Sequence, residues 1–178
     1  MRIISGKLKG KIISPPGNLR ARPTTDFAKE NLFNVLNSNY DLEDIAVLDL
    51  FSGTGSISLE FISRGAESVT SVELNAVHHN FIRNTAKKLN LENLFCVKAN
   101  AFLYIKSCKR KFDIIFADPP YDINDSETLP EMIFSNGLLT ENCIFILEHS
   151  KNINFSDDSR CFETRSYGSV NFSFFKNS

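Results

Sequence analysis

The hydrophobic pattern of the chain alternates between short runs typical of strands and longer stretches with helical spacing. Strand-like runs of four to six residues lie at 47–50, 68–73, 94–99, 114–117 and 143–148. Apolar residues three or four positions apart, which share one face of a helix, recur at 28–36, 81–89 and 129–133. Strands that alternate with helices in this way predict a doubly wound α/β fold.

Both ends of the chain predict additional β structure. Residues 160–176 carry two aromatic-rich runs separated by Tyr167, Gly168 and Ser169, which predicts an antiparallel hairpin that completes the sheet. Residues 1–14 alternate apolar and polar side chains around Gly6 and Gly10, and we expect a hairpin with its lysines on one face. Prolines and a glycine at 15–18 then break the pattern, so 19–26 are expected to be an extended connection.

Composition and charge indicate one compact protein with an uneven charge distribution. The chain has 178 residues, of which 42% are hydrophobic, enough for one substantial core but hardly for two domains. Residues 1–29 hold seven basic and one acidic side chain, a net +6, whereas the remainder holds 13 basic and 20 acidic residues, a net −7. This predicts nucleic-acid phosphate contacts in the amino-terminal region, from Arg2, Lys7, Lys9, Lys11, Arg20 and Arg22. Charge alone leaves open that these lysines only protect a hairpin edge from strand pairing.

The run at 112–121 ends abruptly in Asp118, Pro119, Pro120 and Tyr121. Two successive prolines cannot continue a ladder, so the chain must leave the sheet at the carboxyl end of this strand, where ligands bind in open α/β sheets. Asp118 and the Pro119 carbonyl could accept hydrogen bonds from an exocyclic base amine, while Tyr121 stacks on the base. This predicts an amine-methylating site. The alternative for these four residues alone is a strand that ends in a Pro-Pro turn with an exposed tyrosine.

A second motif, at 47–58, is typical of a buried strand, a glycine turn and the start of a helix. Ser58 stands where a dinucleotide fingerprint has its third glycine, and the Gly-Lys-Ser/Thr of a phosphate loop is missing, so we expect a cofactor without phosphates. Gly53 and Gly55 would let the backbone approach this cofactor, and Asp49 could meet an amino group on it. Glu73 ends the next strand at the spacing from which an acid reaches ribose hydroxyls.

The chain resembles the S-adenosylmethionine-dependent methyltransferases in these motifs and the RsmD family in particular, which methylates the N2 amine of a guanine in bacterial small-subunit (16S) ribosomal RNA. The family likeness extends from Arg2 to about Glu148 and includes 2–6, 7–10, 22–26, 30–36, 59–60 and 63–66. Lys29 stands where arginine is usual, and Tyr121 where phenylalanine is frequent. The resemblance implies a seven-stranded, Rossmann-like class I sheet at 23–178, preceded by a basic hairpin and connection at 1–22, within a single domain of 1–178.

The same resemblance implies further cofactor contacts. It places Phe51 in the cofactor loop, Asn100 and Ala101 at the adenine ring, and S-adenosylhomocysteine as the product. Thr24 would approach the methionine end of the cofactor. Capping the following helix is the alternative role for Asn100, and for Thr24 or Thr25.

The likely scope of function is narrowed by what the chain lacks. No cysteine or histidine spacing indicates a metal site, the four cysteines are expected to be reduced and mostly buried, and no apolar stretch is long enough to span a membrane. We expect a cytoplasmic monomer whose partner is the 16S RNA of the assembled or partly assembled small subunit. Two alternatives stay open: a DNA adenine or cytosine amino-methyltransferase, and a non-catalytic RNA-binding assembly factor that keeps the fold.

Overall fold

The computed structural model describes residues 1–15, 26–121, 123 and 125–177, with only the backbone of Asn142. Helices and strands alternate through the first four strands, and the chain closes with two antiparallel strands. In chain order the elements are α1 (Asp26–Asn39), β1 (Ala46–Leu50), α2 (Ser56–Ser63), β2 (Ser68–Glu73), α3 (Ala76–Lys88), β3 (Leu94–Lys98), α4 (Ala101–Ser107), β4 (Phe112–Ala117), α5 (Leu129–Ser135), β5 (Leu139–Ser150), β6 (Cys161–Tyr167) and β7 (Val170–Phe175).

The strands form one seven-stranded sheet in the order β3-β2-β1-β4-β5-β7-β6. The first five are parallel to one another, and β7 pairs antiparallel with both β5 and β6. The predicted seven-stranded sheet and closing hairpin are confirmed. β5 is longer than the predicted run at 143–148, because the register with β4 shifts between Phe112 and Ile114 and pairing resumes on both sides of that irregularity.

Helices cover both faces of the sheet, so successive strand residues enter two different cores. Val47, Val69 and Ile114 pack with α1, α2 and α3, whereas their neighbours Leu48 and Ile115 pack with α4 and α5. This two-sided burial explains why the strands are continuously apolar. The helix face predicted for α1 is confirmed, since Ala28, Leu32, Val35 and Leu36 are all buried.

The amino-terminal segment, residues 1–15, differs from the predicted hairpin. Only one antiparallel bridge forms, between Arg2 and Ile12, and the residues between them make turns. The reason is that backbone donors of this segment bind α2 rather than an opposing strand. Ile4 N and Ser5 N donate to the Glu60 carboxylate at 2.9 and 3.0 Å, and Lys7 N donates to the Ser63 carbonyl at 2.7 Å. The predicted boundary at residue 22 lies outside the described residues.

A buried group of charges holds α1, α2 and the amino-terminal segment together. Glu60 is fully buried and accepts from Arg64, with Nε at 2.9 Å. Lys29 Nζ lies 3.9 Å from the other Glu60 oxygen and donates to the Arg2 carbonyl at 2.7 Å. Burial lowers the pKa of Lys29, and the negative charge of Glu60 partly offsets this effect. Since each charge has a partner, the segment is fixed on the core by directional bonds.

Candidate active site

A cleft of about 780 Å³ opens at the carboxyl edge of the parallel strands. The ends of β1, β2, β4 and β5 reach it, together with the start of α1, the β3-α4 connection and the β6-β7 turn. The described lining residues are Phe27, Ala28, Phe51, Gly53, Val72, Glu73, Leu74, Asn75, His78, Ala99, Asn100, Ala101, Phe102, Asp118, Pro119, Pro120, Tyr121, Ile123, Glu148, Tyr167, Gly168, Ser169 and Val170. The cleft therefore unites most of the residues that the sequence singled out.

Asp49 supports the glycine turn from inside the protein. It is 1% exposed and absent from the cleft lining, and its Oδ2 accepts from Ser58 N at 3.0 Å and from Ser58 Oγ at 2.5 Å. Burial raises the pKa of Asp49 to about 7, which the Ser58 hydrogen bonds oppose and the charges of Asp118 and Glu73 reinforce. The side chain thus ties the first turn of α2 to β1. Its predicted contact with a cofactor amino group stays a prediction.

The two glycines of the turn have different surroundings. Gly53 (φ 54°) lines the cleft, and the only atom within 4 Å of a Cβ built on it is the Phe51 carbonyl oxygen at 4.0 Å. Gly55 (φ 75°) precedes α2, and a Cβ there would lie 3.0 Å from Ile82 of α3. Gly53 is the one placed for close approach of a ligand, whereas Gly55 permits close packing of α2 on α3.

Phe51 is held in an uncommon backbone conformation beside the glycine turn. Its φ is 60°, the left-handed region that costs a non-glycine residue about 1–2 kcal/mol. The ring contacts Phe102 edge to face, with centroids 5.8 Å apart, and both rings line the cleft. Such conformations persist where surrounding structure maintains them, often at functional sites.

Glu73 connects the glycine turn to the end of β2. One carboxylate oxygen accepts from Gly53 N at 2.8 Å and the other from Asn75 N at 2.7 Å. A carboxylate has about four acceptor positions, so it can hold these two backbone groups and still bind hydroxyls in the cleft. His78 Nδ1 lies 4.0 Å from the same carboxylate.

Asn100 and Ala101 stand where β3 gives way to α4. Asn100 Oδ1 accepts from Leu103 N at 3.1 Å, so the alternative role predicted for it, capping, is confirmed. Both residues also line the cleft, and Ala101 is buried. Contact with an adenine ring stays a prediction for this pair.

The residues from Asp118 to Tyr121 form the turn that leaves β4. Asp118 N lies 3.4 Å from the Leu50 carbonyl, and Ile123 N donates to the Pro120 carbonyl at 3.0 Å, which closes the turn. Tyr121 is 51% exposed at the mouth of the cleft. The Pro-Pro turn with an exposed tyrosine is therefore real, and it also forms a wall of the cleft.

Sequence reasoning missed several lining residues. Phe27 on α1 is 65% exposed, and its ring lies edge to face with Tyr167, at 6.4 Å between centroids. Tyr167 to Val170 had been interpreted only as a hairpin turn. Glu148 was available as a signal, because an acid at the end of an otherwise apolar strand is costly to bury without a role.

The remaining candidates fall into two groups. Arg2, Lys7, Lys9 and Lys11 are exposed on the amino-terminal segment, whereas Thr24, Arg20 and Arg22 lie outside the described residues. The expectation that the cysteines are mostly buried was wrong, because only Cys143 is buried and the other three are half-buried. Within the described ranges, no cluster of histidine, cysteine or acidic residues is arranged to hold a metal ion, and no helix is long and apolar enough to cross a membrane.

The sheet order and its carboxyl-edge cleft define the class I S-adenosylmethionine-dependent methyltransferase fold. A solved structure described as putative methyltransferase yhhF from Escherichia coli has a TM-score of 0.87 and 26% identity, over 100% of this chain and 98% of that one. SMU.776, a putative methyltransferase solved with SAH, shares the fold at a TM-score of 0.67 and 19% identity, over 84% of this chain and 49% of that one.

The chain belongs to the family described as Conserved hypothetical protein 95, whose pattern matches residues 1–176. A Ribosomal RNA small subunit methyltransferase D from Buchnera aphidicola (subsp. Baizongia pistaciae) is 32% identical over 154 residues, which cover 86% of this chain and 78% of the relative. The protein of that name from Escherichia coli K12 is 33% identical over 149 residues, covering 83% and 74%. The resemblance to the RsmD family of methyltransferases is thereby confirmed.

Proposed function

We propose that this protein transfers a methyl group from S-adenosylmethionine to the N2 amine of a guanine in small-subunit ribosomal RNA. One observation carries the proposal: Asp118 and the Pro-Pro turn form a wall of the same cleft that Gly53 and Glu73 line. The names of the relatives support the RNA substrate.

The cleft residues fit the proposed cofactor. Glu73 offers carboxylate acceptors for ribose hydroxyls, and Gly53 leaves the backbone open to close approach. The apolar rings of Phe51 and Phe102 lie between this loop and α4, beside Asn100. When bound, S-adenosylmethionine supplies an electrophilic methyl group on a sulfonium.

Asp118 and the Pro119 carbonyl prepare the amine for attack. The amine lone pair is delocalised into the guanine ring, which makes it a weak nucleophile. Hydrogen bonds from its two N–H groups to these acceptors localise the lone pair and orient it towards the methyl group. Asp118 then takes the proton released when the N–C bond forms and the C–S bond breaks. Pro119 and Pro120 contribute rigidity, and their missing N–H groups leave only acceptors near the amine.

The substrate is held, in this proposal, by the amino-terminal segment and the rim of the cleft. Exposed Arg2, Lys7, Lys9 and Lys11 would bind phosphates, and the target guanine would turn out of its RNA context to stack on Tyr121. The proposed partner is the assembled or partly assembled small subunit, whose folded shape supplies specificity. We place a monomeric enzyme in the cytoplasm for the same reason.

The defining experiment measures transfer of labelled methyl to small ribosomal subunits that lack the modification, with naked RNA and DNA in parallel. Nucleoside analysis should yield N2-methylguanosine from the subunits. Label in DNA alone would favour the DNA amino-methyltransferase instead. RNA binding with no label in any substrate would favour the non-catalytic assembly factor.

Asp118→Ala should abolish transfer while cofactor affinity changes little, because the acceptor that orients the amine is lost. Calorimetric titration with S-adenosylhomocysteine measures the second quantity. Asp157→Ala, which removes an exposed carboxylate, is the matched control and should retain wild-type turnover. A folded Asp118→Ala enzyme with normal turnover would exclude the assigned role.

Neutralising the three exposed lysines of the amino-terminal segment should weaken subunit binding and flatten its salt dependence by about one slope unit per phosphate contact. The residues are Lys7, Lys9 and Lys11. Removing the exposed charges of Lys87 and Lys88 on α3 is the control. If both variants changed the slope equally, the segment would have no special part in RNA binding.

A further inference from the structure

Glu148 is a buried acid that the cleft and the sheet bring next to the proposed catalytic turn. It is 4% exposed and lines the main cleft together with Asp118 and Pro119. It also lines a second cavity of about 200 Å³, which shares Pro119, Pro120 and Tyr121 with the main cleft. Glu148 therefore stands where the two cavities meet, behind the Pro-Pro turn.

The register of the sheet sets the separation between Glu148 and Asp118. Ala117 of β4 pairs with Leu147 of β5, so the next residue on each strand is Asp118 and Glu148. Neighbouring strands lie roughly 5 Å apart, and residues at the same position along parallel strands point to the same face. Two carboxylates of adjacent strands are thus directed to one side of the sheet.

We propose that Glu148 determines specificity for guanine by accepting the N1–H of the target base while Asp118 and the Pro119 carbonyl accept from its N2 amine. This inference rests on the proposed function and adds the residue that selects the base. Guanine presents two donor groups side by side, the amine and N1–H. In adenine and cytosine the ring nitrogen beside the amine carries a lone pair, which a carboxylate would repel.

The surroundings of Glu148 hold the acid in place. It lies within β5, paired with Phe172 of β7 on one side, and that phenylalanine is fully buried. The next residue, His149, contacts Ser173 Oγ through Nε2 and the Ser150 carbonyl through Nδ1, both at 2.8 Å. A carboxylate on so constrained a strand end is suited to recognise one base edge, since little reorganisation is needed on binding.

The test compares guanosine with 2-aminopurine riboside at the position that the wild-type enzyme methylates, in reconstituted small subunits. 2-Aminopurine keeps the amine but has a lone pair at N1. The wild type should strongly prefer guanosine. In Glu148→Gln the amide can donate to that lone pair, so the ratio of kcat/KM for guanosine over 2-aminopurine should fall about tenfold or more.

Three controls separate base selection from folding and from the proposed function. Glu148→Gln should bind S-adenosylhomocysteine within about twofold of the wild type. Glu148→Asp keeps a carboxylate and should keep the guanosine preference at reduced turnover, and Glu92→Gln, in an exposed turn, should behave as wild type. An unchanged preference in Glu148→Gln, or its loss in Glu148→Asp, would overturn the inference. A wild type inactive on subunits would instead overturn the proposed function.

Discussion

Replacing Gly6 with alanine would test whether close backbone contact fixes the amino-terminal segment on α2. Gly6 has a φ of 79°, and a Cβ added there would lie 1.8 Å from the Ser63 carbonyl oxygen. Backbone atoms on both sides of this contact leave no side chain that could move away. We therefore expect the segment to detach locally from α2.

The expected loss follows from the bonds that this contact protects. Detachment breaks the 2.7 Å bond from Lys7 N to the Ser63 carbonyl and the 2.9 Å bond from Leu8 N to Ser63 Oγ. It also removes two backbone donors from the buried Glu60 carboxylate. At about 1 kcal/mol for each neutral bond and more for each bond to a charge, the free energy of unfolding should drop by roughly 3–5 kcal/mol.

Gly10 provides the matched control on the same segment. Its φ is 80°, but nothing lies within 4 Å of an added Cβ. Gly10→Ala should therefore cost only the backbone strain of about 1 kcal/mol. Thermal unfolding should show a decrease in Tm of about 2–4 °C for Gly10→Ala and of roughly 10 °C for Gly6→Ala. Equal decreases in the two variants would refute the reasoning, because they differ only in the contact with α2.

Three further predictions concern buried or cleft-lining groups. Burial raises the pKa of Asp49 from 3.8 to about 7, so ionisation costs the folded wild type stability as pH rises through that window; the stability advantage of Asp49→Asn in denaturant titrations should grow between those values, by up to about 4 kcal/mol, and a constant difference would contradict this. Burial lowers the pKa of His149 below its usual 6.5, so the wild type should lose stability as pH falls through 6.5, and His149→Gln should lose less; parallel pH profiles would refute the assignment. Glu73→Gln should weaken S-adenosylhomocysteine binding about tenfold in calorimetry, because an amide nitrogen would face a backbone donor, whereas Glu67→Gln on the exposed surface should not.

The elements that sequence patterns predicted well are those governed by local periodicity. The predicted strand at 68–73 matches β2 at both ends, and the hairpin around Gly168 forms as expected. A strand buried on both faces must be apolar throughout, and an amphipathic helix must repeat every three or four residues, so both leave a direct record in the chain. The position of Asp118 at the carboxyl edge follows from the prolines that end β4.

Other features depended on contacts between distant parts of the chain. The amino-terminal residues had the alternation of a hairpin, but Glu60, more than 50 positions away, captures the backbone donors that a ladder would need. Gly55 has the same residue type as Gly53, yet packing against Ile82 gives it a different role. No local pattern encodes either outcome.

The sequence by itself determined the alternation of helices and strands and the order in which Gly53, Glu73 and Asp118 end successive strands. Parallel strands bring such ends to one edge, so the location of the cleft was implicit in that order. Only the tertiary structure decided that Asp49 is buried behind the cleft, and that Glu148 and the turn after Tyr167 join its wall. The physical reason is that periodicity specifies which face of an element is buried, whereas the register between strands and the packing of distant segments specify which residues meet.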